Sequence, residues 1–421
     1  MIDLRGLRAD PERVRASMVR RGAKVDLDAL LELDIRHRRL LSELERARAE
    51  QNRVGRRIAE ASGSGRDEAI ASMRALSRRL KELQGELARA RAELDAGLIE
   101  VPNLVHPDAP EGSGEESHYL VREAGEIPEF DFPVRDHLEI GEALGIIDME
   151  RAAKVSGSRF AFLLAEAALV EMALVRFALD RLRRVGFVPV VPPVLVRERA
   201  MVGTGFFPTD EAQVYKTASD ELYLAGTAEV PIAAMHADEI LPPERLPLRY
   251  AGFSTCFRRE AGSYGRDVRG IIRVHQFDKV EMFSFCASDA SEAEHDALLG
   301  IEEEFFGALE VPYRVVEISA GELAAPNYRK YDLEAWLPGS GRWLEVTSCS
   351  NDLDYQARRL GIRTRGKEGT EHVHTLNGTA VAIQRALVAL LENHQRADGS
   401  VGIPQALRPY TGFDAIRPAG G

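Results

Sequence analysis

Two series of small and apolar residues, spaced alternately three and four apart, constrain the fold of the N-terminal quarter of the chain. The first series runs from Leu40 to Ala61 and the second from Met73 to Leu94, with a Ser-Gly-Ser-Gly stretch between them. This spacing places each residue on the same side of a helix, and a stripe sustained over three heptads is typical of a coiled coil. Glycine and serine interrupt a helix. The sequence therefore predicts an antiparallel coiled-coil hairpin over residues 30–98.

The charge of the chain is distributed unevenly. The net charge is -12, but residues 36–94 hold 15 Arg and Lys against 9 Asp and Glu, which leaves -18 for the rest. A basic segment on an acidic protein favours local binding of nucleic acid. Arginines of its outer half are Arg53, Arg56, Arg57, Arg66, Arg74, Arg78 and Arg79. Periodicity alone allows a dimerisation or spacer coiled coil equally well; the arginines favour an arm that follows RNA phosphates.

Length and composition set the class of protein. A chain of 421 residues exceeds one ordinary core, so we expect two domains. We divide it into a helical arm over 1–100, a linker over 101–116 that is rich in Pro, Gly and acidic residues, and a body over 117–421. The three cysteines lack CxxC spacing, so neither a zinc site nor a disulfide framework is expected. No run of apolar residues reaches the length of a membrane span, and a cytoplasmic protein is expected.

Residues 257–285 show a different pattern, in which two runs of alternating polarity flank a ten-residue loop with Gly262, Gly265 and Gly270. Alternation around a glycine-rich loop predicts a long antiparallel hairpin. One face of the incoming strand would carry Cys256, Arg258 and Glu260; one face of the outgoing strand would carry Arg273, His275, Phe277, Lys279 and Glu281, opposite Val274, Val280 and Met282. A face with so many charged side chains would pack poorly in a hydrophobic core. It is a candidate phosphate site, because a guanidinium group binds two phosphate oxygens at a time. A salt-bridged, solvated face is the alternative.

The strings FRRE and RVHQF, followed by KVE, resemble motif 2 of class II aminoacyl-tRNA synthetases in the version found in seryl-tRNA synthetases. The resemblance runs from Met1 to about Phe413. The segment KVSGSRF at 154–160 resembles the start of this family's core, and 186–193 resembles motif 1. Asn377-Gly378-Thr379-Ala380, followed by a helix with Arg385, resembles motif 3. The chain is thus identified as a member of the seryl-tRNA synthetase family.

The resemblance implies an α+β fold, in which the coiled-coil arm precedes a class II core with an antiparallel sheet flanked by helices. It implies a two-step ligase reaction: ATP activates L-serine to seryl-adenylate, and the seryl group then passes to tRNA(Ser), whose long variable arm is held by the N-terminal arm. Charging of tRNA(Sec) stays open. The family is a homodimer through motif 1, and its ATP is accompanied by Mg²⁺.

Site residues follow from the same resemblance. ATP would be bound by Arg258, Arg259, Glu260, Arg273, Val274, Phe277, Glu345, Val346, Thr347, Ser348 and Arg385. Among these the catalytic residues are Arg258 at the α-phosphate, Glu260 near adenine and Arg385 at the terminal phosphate, while Phe277 would stack on adenine. Glu345 and Ser348 would hold Mg²⁺, which prefers hard oxygen ligands.

L-Serine would be bound by Thr227, Ala228, Glu229, Arg258, Glu281 and Thr379. Glu229 would meet the amino group, and Glu281 would lie near the hydroxyl. The alternative for Thr227 and Glu229 is a helix N-cap and its first turn. The segment 324–331 departs from the small residues of many family members, and it has no predicted role. A ligase that loads a carrier protein and a non-catalytic RNA-binding paralogue remain alternatives; the first would lack the arm, and the second would lack Arg258, Glu260 or Arg385.

Overall fold

The structure is a computed structural model that describes residues 1–262, 269–366 and 369–418. Gly265 of the predicted loop lies outside the described residues. The chain forms two compact units, one of residues 1–102 and one of residues 103–421. Within the described residues, no helix is both long and apolar enough to cross a membrane.

The first unit contains four helices: α1 (Leu4–Ala9), α2 (Pro11–Arg20), α3 (Leu27–Glu60) and α4 (Ser64–Glu100). Helix α2 begins after Asp10, whose side chain accepts a hydrogen bond from the backbone N–H of Arg13 and so caps the helix. The break between α3 and α4 falls at residues 61–63, and Gly63 takes a φ of 61°, which favours glycine. Ser64 and Gly65, which were expected in the break, already belong to α4.

Helices α3 and α4 pair as an antiparallel coiled coil, as the heptad spacing predicts. Arg36 Nη1 lies 3.0 Å from Glu93 Oε2, and Gln51 Nε2 lies 3.4 Å from Ser77 Oγ. The buried seam consists of Leu40, Leu44, Leu80, Leu83 and Ala90. At 1.5 Å per residue, the 34 residues of α3 extend about 50 Å. A rod of this length buries little beyond its own seam.

The second unit is built on an eight-stranded sheet. Its strands are β1 (Tyr119–Ala124), β2 (Val188–Val190), β3 (Leu248–Phe257), β4 (Gln276–Cys286), β5 (Tyr313–Glu317), β6 (Arg329–Leu337), β7 (Arg342–Asn351) and β8 (His374–Ala382). Their order is β1-β5-β6-β7-β8-β4-β3-β2. All pairs are antiparallel except β2 and β3 at one edge. The predicted α+β architecture is confirmed.

The predicted hairpin is formed by β3 and β4, but both strands are shorter at the loop end than expected. Strand β3 ends at Phe257, so Arg258 and Glu260 lie just beyond it. Strand β4 starts at Gln276, so Arg273 and His275 precede it. The alternation therefore does not extend to these residues, and Val274, expected on the opposite face, lines the same cleft as Arg273.

The two faces of the sheet are covered by different helices. The helices of the unit are α5 (His137–Ala143), α6 (Met149–Ser156), α7 (Ala165–Arg184), α8 (Glu198–Thr204), α9 (Glu229–Met235), α10 (Ser291–Ala308), α11 (Tyr355–Leu360), α12 (Ile383–Asn393) and α13 (Arg408–Thr411). Side chains of α7, α10 and α12 form the main core with one face, which includes Val280 and Met282. On the other face, α9 and α11 pack on Phe283 and Phe285. Lys279 and Glu281 share that second face by alternation.

Short two-residue to four-residue strands complete the unit. They pair Ile147–Asp148 with Phe162–Leu163, Leu195–Arg197 with Leu222–Leu224, Val401–Gly402 with Ala415–Ile416, and Arg363–Gly366 with both Ile240–Leu241 and Gly369–His372. Part of the segment assigned to the linker packs on this unit: Val105 and Ala109 are buried against Ile318 and Leu323. Asn103 Nδ2 donates to the carbonyl of Asp352 at 2.8 Å.

Candidate active site

A cleft of about 500 Å³ opens on the α9 side of the sheet, between β4, β7 and β8. Strands β7 and β8 pair only over residues 349–351 and 376–378 and separate beyond them. Of the predicted residues, it is lined by Thr227, Glu229, Arg258, Glu260, Arg273, Val274, Phe277, Glu281, Glu345, Val346, Thr347, Ser348, Thr379 and Arg385. Residues from motifs 2 and 3 and from β7, far apart in sequence, therefore meet in one place.

The motif 2 arginines are held by contacts across the base of the loop. Arg273 Nη1 lies 2.6 Å from Glu260 Oε2. Glu260 has a φ of 49°, a left-handed conformation that is uncommon outside glycine and is found more often at functional sites. Arg258 Nε donates to the carbonyl of Gly226 at 3.2 Å, and its guanidinium carbon lies 5.4 Å from the centre of the Phe277 ring. Both guanidinium groups are thus oriented before any anion binds.

Arg385 lies in the first turn of α12 and faces β7. Its Nη1 donates to the carbonyl of Glu345 at 2.7 Å and lies 3.3 Å from Glu345 Oε1. Glu345 thus supplies a negative charge beside this arginine in the absence of any phosphate. Burial acts to raise the pKa of Glu345, but Arg385, Lys330 and Arg258 outweigh it and lower the pKa to about 2. Glu345 is therefore a carboxylate at any working pH.

A β-bulge at Val346 sets the direction of the side chains on β7. Opposite β6, Leu333 pairs with Thr347 and Glu334 with Glu345, so Val346 is the extra residue. The bulge brings Glu345 and Ser348, three residues apart, to line the same cleft. A carboxylate and a hydroxyl suit Mg²⁺. Within the described residues, no three His, Cys, Asp or Glu side chains could enclose a metal ion. A cation held here would therefore need further ligands from substrate and water.

Glu229 is the first residue of α9 and is only 8% exposed. Gln356 of α11 donates to its Oε1 at 2.7 Å, and the backbone N–H of Glu229 bonds the Thr227 hydroxyl at 3.2 Å. Burial, followed by the charges of Asp352 and Glu281, raises the pKa of Glu229 to about 8. A ligand ammonium group would relieve this repulsion. The alternative is right for Glu229, which lies in the first turn of the helix, but wrong for Thr227, because Ala228 is at the N-cap position.

Glu281 lies on β4 with only 2% exposure, and it forms an ion pair with Lys279 two residues earlier. Burial raises the pKa of Glu281, and Lys279 and Arg258 oppose the shift. Thr379 is its partner across the β4–β8 ladder. Each of these side chains lines the cleft. The sequence placed Lys279 on this face but gave it no function in the site.

A buried glutamate supports the opening from behind the sheet. Glu302 of α10 is fully buried, and its Oε2 accepts a hydrogen bond from the Thr347 hydroxyl at 2.7 Å. Burial raises the pKa of Glu302 well above its ordinary value, which favours the neutral carboxyl. It occupies the region where β7 and β8 separate, next to Gly378.

Two predicted site residues do not line the cleft. Ala228 is fully buried, where it packs on the sheet at Gly252; a side chain at Gly252 would meet Ala228 Cβ at 2.9 Å and Ile232 Cδ1 at 2.4 Å. Arg259 is exposed, and its backbone N–H bonds the Gln213 carbonyl at 2.8 Å. Their proposed roles as ligands stay predictions.

Other residues that line the cleft were not predicted from the sequence. They are Asp210, Gln213, Asn327, Lys330, Ser350, Asn377 and Gln384. For Lys330 a signal existed, because Lys330, Asp332 and Glu334 alternate with apolar residues along the strand. For Gln213 and Gln384 there was none, since a glutamine in a loop or a helix is usually a surface residue.

Comparison with known proteins agrees with this geometry. A family model described as the seryl-tRNA synthetase N-terminal domain matches residues 1–105, and one described as the tRNA synthetase class II core domain (G, H, P, S and T) matches residues 213–394. The serine–tRNA ligase of Acidothermus cellulolyticus is 52% identical over 99% of this chain and 100% of its own, and that of Thermobifida fusca is 51% identical over 99% of each.

Among solved structures, seryl-tRNA synthetase from Pyrococcus horikoshii complexed with ATP has a TM-score of 0.93 with this chain, 42% identity and full coverage of both chains. The cytoplasmic serine–tRNA ligase of Naegleria fowleri in complex with AMP has a TM-score of 0.88 and 31% identity, and covers 98% of this chain and 96% of its own. The identities and coverage leave one conclusion: the chain belongs to the seryl-tRNA synthetase family of class II aminoacyl-tRNA synthetases.

Proposed function

We propose that the protein is a serine–tRNA ligase, which uses ATP to convert L-serine to seryl-adenylate and then transfers the seryl group to tRNA(Ser). The observation that carries this proposal is the convergence in one cleft of two phosphate-binding arginines, Arg258 and Arg385, with two buried carboxylates, Glu229 and Glu281. Arginines suit a triphosphate, and buried carboxylates suit a small zwitterion that carries a hydroxyl.

In the first step, an oxygen of the serine carboxylate attacks the α-phosphorus of ATP, and the bond to pyrophosphate breaks. Arg258 binds the α-phosphate and Arg385 the terminal phosphate, where each fork neutralises negative charge. Phe277, beside the Arg258 guanidinium, stacks on adenine, and Glu260 contacts the base. No side chain needs to form a covalent bond, so the cleft acts by positioning the reactants and stabilising charge.

Serine is positioned through its ammonium group and its hydroxyl, which bind to different residues. Glu229 binds its ammonium group, and Glu281 and Thr379 bind its hydroxyl. Sites that hydrogen-bond a hydroxyl reject the analogue that lacks it far better than apolar pockets reject a missing methyl. Lys279 keeps Glu281 partly compensated in the absence of serine, so discrimination against alanine rests on one lost hydrogen bond rather than on a wholly unpaired carboxylate.

Glu345 and Ser348 would hold the Mg²⁺ that accompanies ATP, and a cation bound there would neutralise phosphate charge. The carboxylate of Glu345 stays ionised because three cations surround it. In the second step, a hydroxyl of the terminal adenosine of the tRNA attacks the seryl carbonyl, and AMP leaves.

The tRNA is held by the α3–α4 arm. All seven arginines of its outer half are exposed, as phosphate contacts require. Removal of residues 30–98 is expected to spare serine activation and to abolish tRNA charging. Equal charging by the truncated protein would make the arm a structural element only. Since ATP and tRNA are the substrates, we place the reaction in the cytoplasm.

The second unit is proposed to dimerise through motif 1. Val188 and Val191 of this motif are 54% and 81% exposed, and Leu169 and Met172 of α7 are 53% and 55% exposed. Apolar residues exposed in such numbers are typical of an interface. Val191→Glu is expected to shift the protein to a monomer in sedimentation, whereas a wild-type monomer would contradict the proposal.

The decisive experiment is ATP–pyrophosphate exchange with serine, alanine, glycine and threonine, followed by charging of tRNA(Ser) and tRNA(Sec). Serine is expected to give the highest kcat/KM. Exchange without transfer to tRNA would favour the ligase that loads a carrier protein. Absence of exchange with every amino acid would favour an RNA-binding protein without catalysis.

A further inference from the structure

The segment 324–331, which has no predicted role, contributes Ala324, Pro326, Asn327 and Lys330 to the cleft. It leads directly into β6, the strand next to β7. Lys330 and Asp332 project from β6 on the cleft side of the sheet, and Asp332 is only 7% exposed. A charged pair in a central strand is unusual, because buried charges are costly unless they interact with other polar groups. Partners of this pair are therefore expected in the site.

Asp332 lies directly opposite Ser348 in the β6–β7 ladder, and the Ser348 hydroxyl donates its hydrogen to Asp332 Oδ1. A serine hydroxyl has one hydrogen and two lone pairs. Because the hydrogen is committed to Asp332, the oxygen can act towards the cleft only as an acceptor. This is the state that a cation ligand requires.

Lys330 fixes the carboxylate of Asp332. Its Nζ lies 3.0 Å from Oδ1 and 3.1 Å from Oδ2. The ammonium group thus bridges both oxygens, and Asp332 cannot rotate away from Ser348 without losing one of these contacts. The bulge at Val346 then presents Glu345 beside Ser348.

We propose that Asp332, held by Lys330, is a positioning residue that orients the Ser348 hydroxyl so that its lone pairs face the divalent cation of the nucleotide. The inference rests on the proposed function, since it requires a nucleotide in this cleft. Partners that orient a metal ligand commonly contribute about 10- to 100-fold to metal affinity. Asp332 does so without touching the cation.

The test measures Mn²⁺ binding by electron paramagnetic resonance with the α,β-methylene analogue of ATP, without serine or tRNA. Asp332→Ala is expected to weaken Mn²⁺ binding about tenfold, and Ser348→Ala by a similar factor. The double variant is expected to match Ser348→Ala within twofold. Glu334→Ala is the matched control, because this carboxylate is two residues away on β6 but pairs with Arg314 outside the cleft. It is expected to bind Mn²⁺ like wild type.

A second measurement separates orientation from damage to the fold. In pyrophosphate exchange, Asp332→Ala is expected to raise the Mg²⁺ concentration for half-maximal rate, while the rate at saturating Mg²⁺ stays near wild type. A rate that stays low at all Mg²⁺ concentrations would count against the proposal. If the alanine variant does not fold, Asp332→Asn replaces it, with at least threefold weaker Mn²⁺ binding expected.

Two results would overturn the inference. One is Mn²⁺ affinity within twofold of wild type in the Asp332 variant. The other is an equal loss in the Ser348→Ala background, which would make Asp332 a charge that acts independently of Ser348. Wild-type protein that binds Mn²⁺ and nucleotide but activates another amino acid refutes the proposed function alone, whereas wild type without nucleotide binding refutes both.

Discussion

The arm and the catalytic unit obtain their shapes in different ways. The arm is two helices whose seam follows one local spacing rule, and all five residues of the buried seam are positions of the heptad series. The cleft depends on distant residues: Glu229 meets Gln356, and Thr347 meets Glu302. The arm therefore provides a long, charged surface, whereas the catalytic unit holds individual side chains at defined positions. Changes in one unit should affect one step of the reaction and leave the other.

The largest effect is expected for Arg258→Lys in the cleft. Lysine keeps the charge but loses the fork that binds two phosphate oxygens, so serine activation should fall by about 2–4 kcal/mol in kcat/KM. Pyrophosphate exchange measures this loss. Arg245→Lys is the matched control, since Arg245 is exposed, does not line the cleft and has no predicted role in the site; it should exchange like wild type. Wild-type activity in the Arg258 variant would remove the arginine from the reaction.

The next effect concerns the arm. Of the seven arginines of the outer half, Arg53 and Arg79 lie at ion-pair distance from a carboxylate. The other five, within the described residues, do not: Arg56, Arg57, Arg66, Arg74 and Arg78. Their joint replacement by Gln should lower tRNA charging about 10- to 100-fold and reduce its dependence on salt, because each lost phosphate contact lowers the slope of log K against log salt by about 0.7–0.9. Serine activation should not change.

The control for the arm uses arginines that are already paired with carboxylates. They are Arg36, Arg38, Arg39, Arg79 and Arg91. Their replacement by Gln removes the same charge but should weaken charging less. Equal losses in the two sets would mean that net charge, rather than position along the arm, attracts the RNA.

A smaller effect, about tenfold per pH unit, is expected from Glu229. Its raised pKa, about 8, keeps the carboxyl neutral below that pH, and serine's ammonium group needs the carboxylate. The kcat/KM for serine should therefore rise with pH between 6 and 7.5 and flatten near 8. Glu229→Gln should abolish the slope. A flat profile in the wild type would show that Glu229 is ionised before serine binds.

The smallest effect on catalysis is expected from the seam of the arm. Leu44→Ala removes a buried side chain and should destabilise the coiled coil by about 2–4 kcal/mol, while Leu41→Ala, at a position 38% exposed, should cost little. Calorimetry should show a separate, earlier transition for the arm in the first variant. Serine activation at 25 °C should be unchanged in both, and a loss there would show that the two units are coupled.

The sequence predicted what depends on local spacing. The heptads, the β3–β4 hairpin and the 14 of the 16 predicted site residues that line the cleft were found from patterns or from motifs. It failed where the geometry depends on two strands at once. The bulge at Val346, which brings Glu345 and Ser348 to one cleft, is a property of the β6–β7 register. Alternation extended past Phe257 was wrong because the backbone leaves the ladder there.

The partners of charged side chains could not be predicted from the sequence either. Arg385 of α12 pairs with Glu345, which belongs to a strand 40 residues earlier in the chain. Gln356 at Glu229 and Glu302 behind Thr347 occupy helices in which a polar residue is ordinary. Such contacts arise from packing, and a single sequence carries no trace of them.

Glu302 has a consequence for the width of the amino-acid pocket. Its side chain comes from α10 and lies between β7 and β8, on the side of the sheet opposite the cleft. It occupies the region in which the two strands form no ladder hydrogen bonds, beyond residues 349–351 and 376–378. Under the proposed function β7 would face the nucleotide and β8 would face serine. The distance between them, and with it the size of the side chain admitted, would then depend in part on a residue that does not line the cleft.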